Sequence, residues 1–206
     1  LLVGNLFQQF YNLVDSLVVG NYVGADALAA VGTCGSLGFL FFSLSSGLAI
    51  GIGILASQFF GARDEEMIRA TIANSVYILV IAGTAVSLVG YFGASWLLHL
   101  LRVPEEVFAM SLTYLKVTSL GIVAVALYNG VAALLRALGD AQSPLYFLIL
   151  SCVMNVVLDL VFVLYLNMGV YGVALATIIS QFFSFLVSVV YAWKKVAYFR
   201  LSREEW

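Results

Sequence analysis

An all-α protein whose helices cross a membrane is the fold class this sequence predicts, and two observations carry the prediction. Hydrophobic residues fill 63% of the 206 positions and charged residues 10%, with a mean hydropathy of +1.07, a composition too apolar to clothe a water-facing surface. The apolar residues also gather into six runs near 1–20, 28–57, 70–98, 108–135, 145–166 and 170–193. Each approaches or exceeds the roughly 20 residues a helix needs to cross a bilayer. Unpaired backbone cannot face lipid, and these long runs do not alternate as barrel strands do, so they read as helices. Together they form one six-helix transmembrane unit with a tail at 194–206.

The first run begins at Leu1 with neither a basic leader nor a clear small-residue cleavage site, so a spanning helix is expected there and not a signal peptide. The second carries a stripe of small residues, Gly35, Ser36, Ser43, Gly47 and Gly51, suited to close approach by a neighbouring helix in lipid. Between the second and third runs, Gly61 supplies a stop, and Asp64, Glu65 and Glu66 suit the first turn of the next helix. Pro104-Glu105-Glu106 repeats this before the fourth run, where proline is tolerated at a first helical position. Gly139-Asp140-Ala141-Gln142-Ser143-Pro144 does so before the fifth.

Six crossings put both termini on one side. Arg63, Arg69, Arg136, Lys194, Lys195, Arg200 and Arg203 share that side, whereas Arg102 and Lys116 belong to the other. The excess of basic residues assigns the termini to the cytoplasm. A formal charge of −2 leaves no basic surface for nucleic acid. His99 is the only histidine, HExxH is absent, and no nucleophile and base pair is evident, so enzymatic chemistry is not expected. Cys34 and Cys152 lie inside apolar runs and read as packing residues.

Polar residues inside the spans carry the functional signal. The fifth run places Ser151, Asn155 and Asp159 on one face at four-residue spacing. A carboxylate at the bilayer centre costs about 2.5–3.5 kcal/mol on insertion scales and calls for a partner. Gln8, Asn12 and Asp15 draw a similar stripe on the first run, Thr177, Gln181, Ser184 and Ser188 on the sixth, and Tyr114, Thr118 and Gly121 a weaker one on the fourth. At 1.5 Å per residue, Asp15, Asp159 and Thr177 all fall roughly 8–14 Å inside the outer boundary, so oxygen groups from three helices share one layer. Two readings follow. Paired carboxylates without a cation favour binding a proton, and carboxylate, amide and hydroxyl oxygens equally suit Na⁺. A purely structural role, with each acid bonding polar neighbours to fix helix packing, is the bland alternative. Lys116 either snorkels outward, lining a cavity, or pairs with an acid. Many Phe and Tyr residues suit a drug-sized cavity, and interfacial belts account for them as well.

YNLVDSLVVGNYVGADALAAVG (11–32), QFFGARDEEMIR (58–69), LRALGDAQSP (135–144), MNVVLD (154–159) and GVYGVALATIISQ (169–181) resemble, in order and register, the N-terminal lobe of a multidrug and toxic compound extrusion (MATE) transporter. The resemblance implies a twelve-helix antiporter of two six-helix lobes in the plasma (inner) membrane, exporting organic, often cationic and amphipathic compounds against H⁺ or Na⁺, with no other cofactor. It implies ion coupling at Asp15, Asn155, Asp159 and Thr177, with Tyr114 matched less securely; Gln8, Asn12, Lys116 and Gln181 are further candidates for the substrate cavity. It also implies a partner, a C-terminal lobe or a second copy, to close the central cleft. The proline usual early in the family's first helix has no counterpart among these residues. Two other functions fit less of the pattern: a lipid-linked oligosaccharide flippase of a related superfamily, which calls for a more basic cavity, and a non-transporting membrane scaffold.

Overall fold

The computed structural model describes residues 13–202. All of its regular structure among these residues is helical: α1 (13–22), α2 (Ala25–Ala62), α3 (Glu65–Phe92), α4 (Ala94–Leu100), α5 (Glu105–Leu120), α6 (Ile122–Ala137), α7 (Ser143–Leu160), a π-helical turn (Val161–Tyr165), α8 (Gly169–Lys195) and a 3₁₀ turn (Ala197–Phe199). Four of these are long and apolar enough to cross a membrane, and the bent pair α5–α6 makes a fifth. Most of the first predicted helix lies outside the described residues.

The helix ends follow local chemistry. α2 stops where Arg63 turns into the left-handed region (φ 59°) and the Asp64 amide donates to the Phe59 carbonyl at 3.0 Å, closing the helix C-terminus. The Asp64 carboxylate then accepts from the Met67 amide at 3.1 Å, capping α3. At 38 residues α2 is about 57 Å long, well beyond a hydrocarbon core of roughly 30 Å, so its ends project or the helix tilts. It begins and ends outside the expected 28–57: Asp26 suits its first turn, and the helix runs on until the left-handed stop at Arg63.

Two predicted helices are each two helices. The run at 70–98 is α3 and α4, which starts five residues earlier and breaks at Gly93, where a Cβ would come within 2.5 Å of the Val89 carbonyl oxygen. The run at 108–135 is α5 and α6, bent by 44° at Gly121, where an added Cβ would lie 3.0 Å from Ile178 of α8. Hydropathy is blind to both breaks, since glycine inside an apolar span leaves the average high.

Packing inverts the soluble pattern. Phe39, Phe92 and Tyr165 are 71%, 77% and 80% exposed, as lipid-facing residues are, while Ser111, Ser151, Ser180, Ser184 and Ser188 are fully buried. Small polar residues let helices approach and bond across the interface. Ser151 donates to the Ser180 carbonyl at 3.2 Å and Ser184 to the Phe147 carbonyl at 3.1 Å, zipping α7 to α8. Tyr128 of α6 donates to the Pro144 carbonyl at 2.9 Å. Tyr128→Phe is expected to lower stability by about 0.5–1.5 kcal/mol, read as a lower unfolding midpoint in detergent; an unchanged midpoint would show that this bond carries no net weight. On α2 the close approach is made by Gly53 against Ala133 of α6, whereas the positions a Cβ would take at Gly35, Gly47 and Gly51 have no atom within 4 Å. The predicted stripe therefore packs against nothing among the described residues.

The chain's last described segment folds back. Arg200 donates to the carbonyls of Trp193 at 3.1 Å and Lys194 at 2.8 Å, covering the end of α8. Arg69 donates to the Arg200 carbonyl at 3.1 Å, and Tyr198, Phe199 and Leu201 pack on the core shared by α2, α3 and α6.

Candidate functional site

Asp15, Asn155, Asp159 and Thr177 meet between α1, α7 and α8. Asp15 is 4% exposed and Asn155 and Asp159 are 0% exposed. The Asp15 carboxyl lies within hydrogen-bonding reach of the side chains of Asp159, Thr177 and Asn155. The Thr177 hydroxyl also reaches the Val173 carbonyl one turn back, at 3.0 Å.

Apolar packing holds the three helices at this register. Val18 and Val19 of α1, Ala27 of α2, Val163 of the π turn, and Val170 and Val173 of α8 form one buried cluster. It lies within about one turn of the acids on every strut: Val18 and Val19 follow Asp15, Val163 follows Asp159, and Val173 precedes Thr177. The cluster separates the polar layer from the turns at 23–24 and 166–168. On the opposite side the serine bonds between α7 and α8 begin, so the site sits between an apolar seal and a polar zipper.

The π-helical turn starts two residues after Asp159. Such turns disrupt the regular ladder and concentrate at functional sites. Here the Leu166 amide donates to the Val161 carbonyl at 3.1 Å, and the turn is wedged against Gly172, where a Cβ would come within 2.8 Å of Met168 Cβ and 3.0 Å of Phe162 Cβ. Nothing in the hydropathy pattern signals this turn; the Gly172 in GVYG is its one trace in the sequence.

Tyr114 of α5 packs against both the α2–α4–α5 core and the valine cluster, within electrostatic reach of Asp15 and Asp159. The Lys116 ammonium lies over the Tyr91 ring of α3, 5.6 Å from the centroid. Gln181 is half-buried one turn beyond Thr177. Gln8 and Asn12 lie outside the described residues. Away from this layer, Asp140 receives the Ser143 amide at 3.0 Å and the Tyr191 hydroxyl at 2.8 Å. Partial burial pushes its carboxyl up, but the bonds from Ser143 and Tyr191 outweigh this and hold it below the usual carboxylate range.

A helical membrane fold with carboxyls buried among oxygen groups fits a transporter unit. The MatE family model matches residues 1–161, and the chain belongs to that family, whose members are transporters. It is 34% identical to the probable multidrug resistance protein YoeA of Bacillus subtilis over 95% of this chain and 43% of that protein, and 33% identical to YpnP of the same organism over 94% and 44%. A solved MATE in complex with MaL6 superposes with a TM-score of 0.90 at 26% identity, covering 99% of this chain and 45% of that one. An inward-facing multidrug resistance MATE transporter of the MOP superfamily gives 0.87 at 27%, covering 96% and 47%. The chain thus spans less than half the length of these relatives, as an N-terminal lobe does.

Proposed function

We propose that this chain is the N-terminal, six-crossing lobe of a multidrug antiporter that exports organic, often cationic compounds across the plasma membrane in exchange for H⁺ or Na⁺. The observation that carries the reading is the meeting of Asp15 and Asp159, with Asn155 and Thr177, in a layer closed by the valine cluster. Two carboxylates in contact at low dielectric repel, so a proton shared between them or a monovalent cation held by the four oxygen-bearing side chains relieves the layer. An ion arriving there neutralises the acids and tightens α1 onto α7 and α8. That repacking disfavours a bound cationic substrate and discharges it outward. Substrate taken from the cytoplasm favours ion release in turn, because linkage is reciprocal.

A second six-helix lobe, from the same polypeptide or another copy, completes the cleft, and the uncovered small-residue stripe of α2 offers a surface for close helix approach. Both termini lie in the cytoplasm on this reading. The acidic character of the layer favours cationic cargo over the anionic headgroups of a lipid-linked oligosaccharide flippase. Reconstitution of the whole protein in vesicles tests the reading. Drug movement should follow an imposed proton or sodium gradient and collapse when an ionophore dissipates it; drug flux indifferent to both gradients would overturn it.

A further inference from the structure

We propose that the cavity where the α6–α7 turn meets the end of α8 is a second ligand site, an entry site for aromatic or quaternary organic cations, separate from the buried acid pair. It lies about 24 Å from Asp159 along α7, measured from Ser143. This inference rests on the multidrug-transport reading for its cargo class, and on the cavity's own chemistry for its location.

The cavity is an open surface depression of about 650 Å³, a volume in the range of drug-sized ligands. Among the described residues Asp140 is the only charged side chain lining it, and Gln142, Tyr146 and Tyr191 supply much of the rest. The Asp140 carboxylate is aimed by two bonds: Oδ1 accepts from the Ser143 amide at 3.0 Å and Oδ2 from the Tyr191 hydroxyl at 2.8 Å. Both oxygens keep lone-pair capacity for a cation. The Tyr191 ring is braced edge-on against Phe147, with centroids 5.3 Å apart, which makes it a rigid wall. Tyr146 is 64% exposed, so its ring is accessible to a flat cationic ligand.

One fixed carboxylate in a cavity that two tyrosines also line suits a delocalised organic cation, since ring faces attract cations within about 6 Å. It does not suit a hard metal ion, which calls for six or more oxygen ligands. Lys194 and Lys195, one turn beyond Tyr191, are exposed and do not line the cavity. On the proposed orientation the cavity opens to the cytoplasm, the side from which an exporter draws its cargo. The Gly-Asp-x-Gln-Ser-Pro stretch then has a role beyond starting α7.

The test uses the whole protein in detergent, an aryl-azide derivative of tetraphenylphosphonium as photolabel, and the matched tetraphenylborate derivative as a control of equal size and opposite charge. The phosphonium should label peptides containing 138–146 or Tyr191, and the borate should not. Asp140→Asn keeps the side-chain oxygen that caps Ser143 and removes the charge; it should reduce labelling there roughly fivefold. Tyr146→Ala breaks none of these hydrogen bonds and should reduce it roughly two- to fivefold, so the proposal stays testable even if Asp140→Asn misfolds. Asp159→Asn should leave it intact. Equal labelling by both charges, or labelling confined to peptides carrying Asp15 and Asp159, would overturn the proposal. Labelling as expected in a protein whose flux ignores ion gradients would keep this site and overturn the coupling mechanism instead.

Discussion

Asp159→Asn in the whole transporter should lower gradient-driven drug export by roughly 5–150-fold, the span of typical coupling free energies, while leaving membrane insertion and the unfolding midpoint nearly unchanged. The reason is local. Asparagine matches the volume of aspartate and still bonds Asp15 in a fully buried position, yet it neither takes up a proton nor contributes charge to a cation. Asp15→Asn should act the same way. The double variant should be little worse than either single one, because the two acids work as a unit and the effects of such residues do not add. Initial rates of drug uptake into inverted vesicles, set against protein incorporated, give the comparison. Undiminished ion-driven export by Asp159→Asn would remove the acid pair from the mechanism.

Gly172→Ala should destabilise the protein by about 1–3 kcal/mol, the usual cost of overpacking a tight core. The added methyl would meet Met168 Cβ at 2.8 Å and Phe162 Cβ at 3.0 Å, and a Cβ moves only with its backbone. Relief requires α8 to back away from the π-helical turn, and that turn begins two residues past Asp159. Export should therefore fall along with stability. Gly61→Ala is the matched control: Gly61 is helical and exposed, with nothing within 4 Å of an added Cβ, so it should be neutral or stabilising by about 0.4–1 kcal/mol. Equal unfolding midpoints for the two variants would show that the π turn tolerates displacement and that Gly172 sets no geometry.

The four polar residues that meet in the candidate site are each visible in the sequence, because an acid, an amide or a hydroxyl at helical spacing stands out in an apolar run. Depth counting from the loops puts Asp15, Asp159 and Thr177 in one layer, since helical rise is nearly constant. Neither method ranks neighbours. Ser180 shares the face of Thr177 and Ser184 but is not singled out with them, yet its carbonyl receives the Ser151 hydroxyl. Lys116 has two defensible destinations by reach, and its contact with the Tyr91 ring depends on a residue of another helix.

Composition and periodicity determine by themselves that this protein is helical, that it belongs in a membrane, and which buried polar groups need partners. Lipid imposes those three: it forbids unpaired backbone, sets the length of a span, and penalises each carboxylate in it. Only the tertiary structure decides where the spans break and what the polar groups touch. The bend at Gly121 against Ile178 and the tie from Tyr191 to Asp140 arise from contacts between helices far apart in sequence, while the break at Gly93 and the π turn at Gly172 rest on close contacts a few residues away. Hydropathy averages over residues along one helix, whereas these features depend on single close atomic contacts.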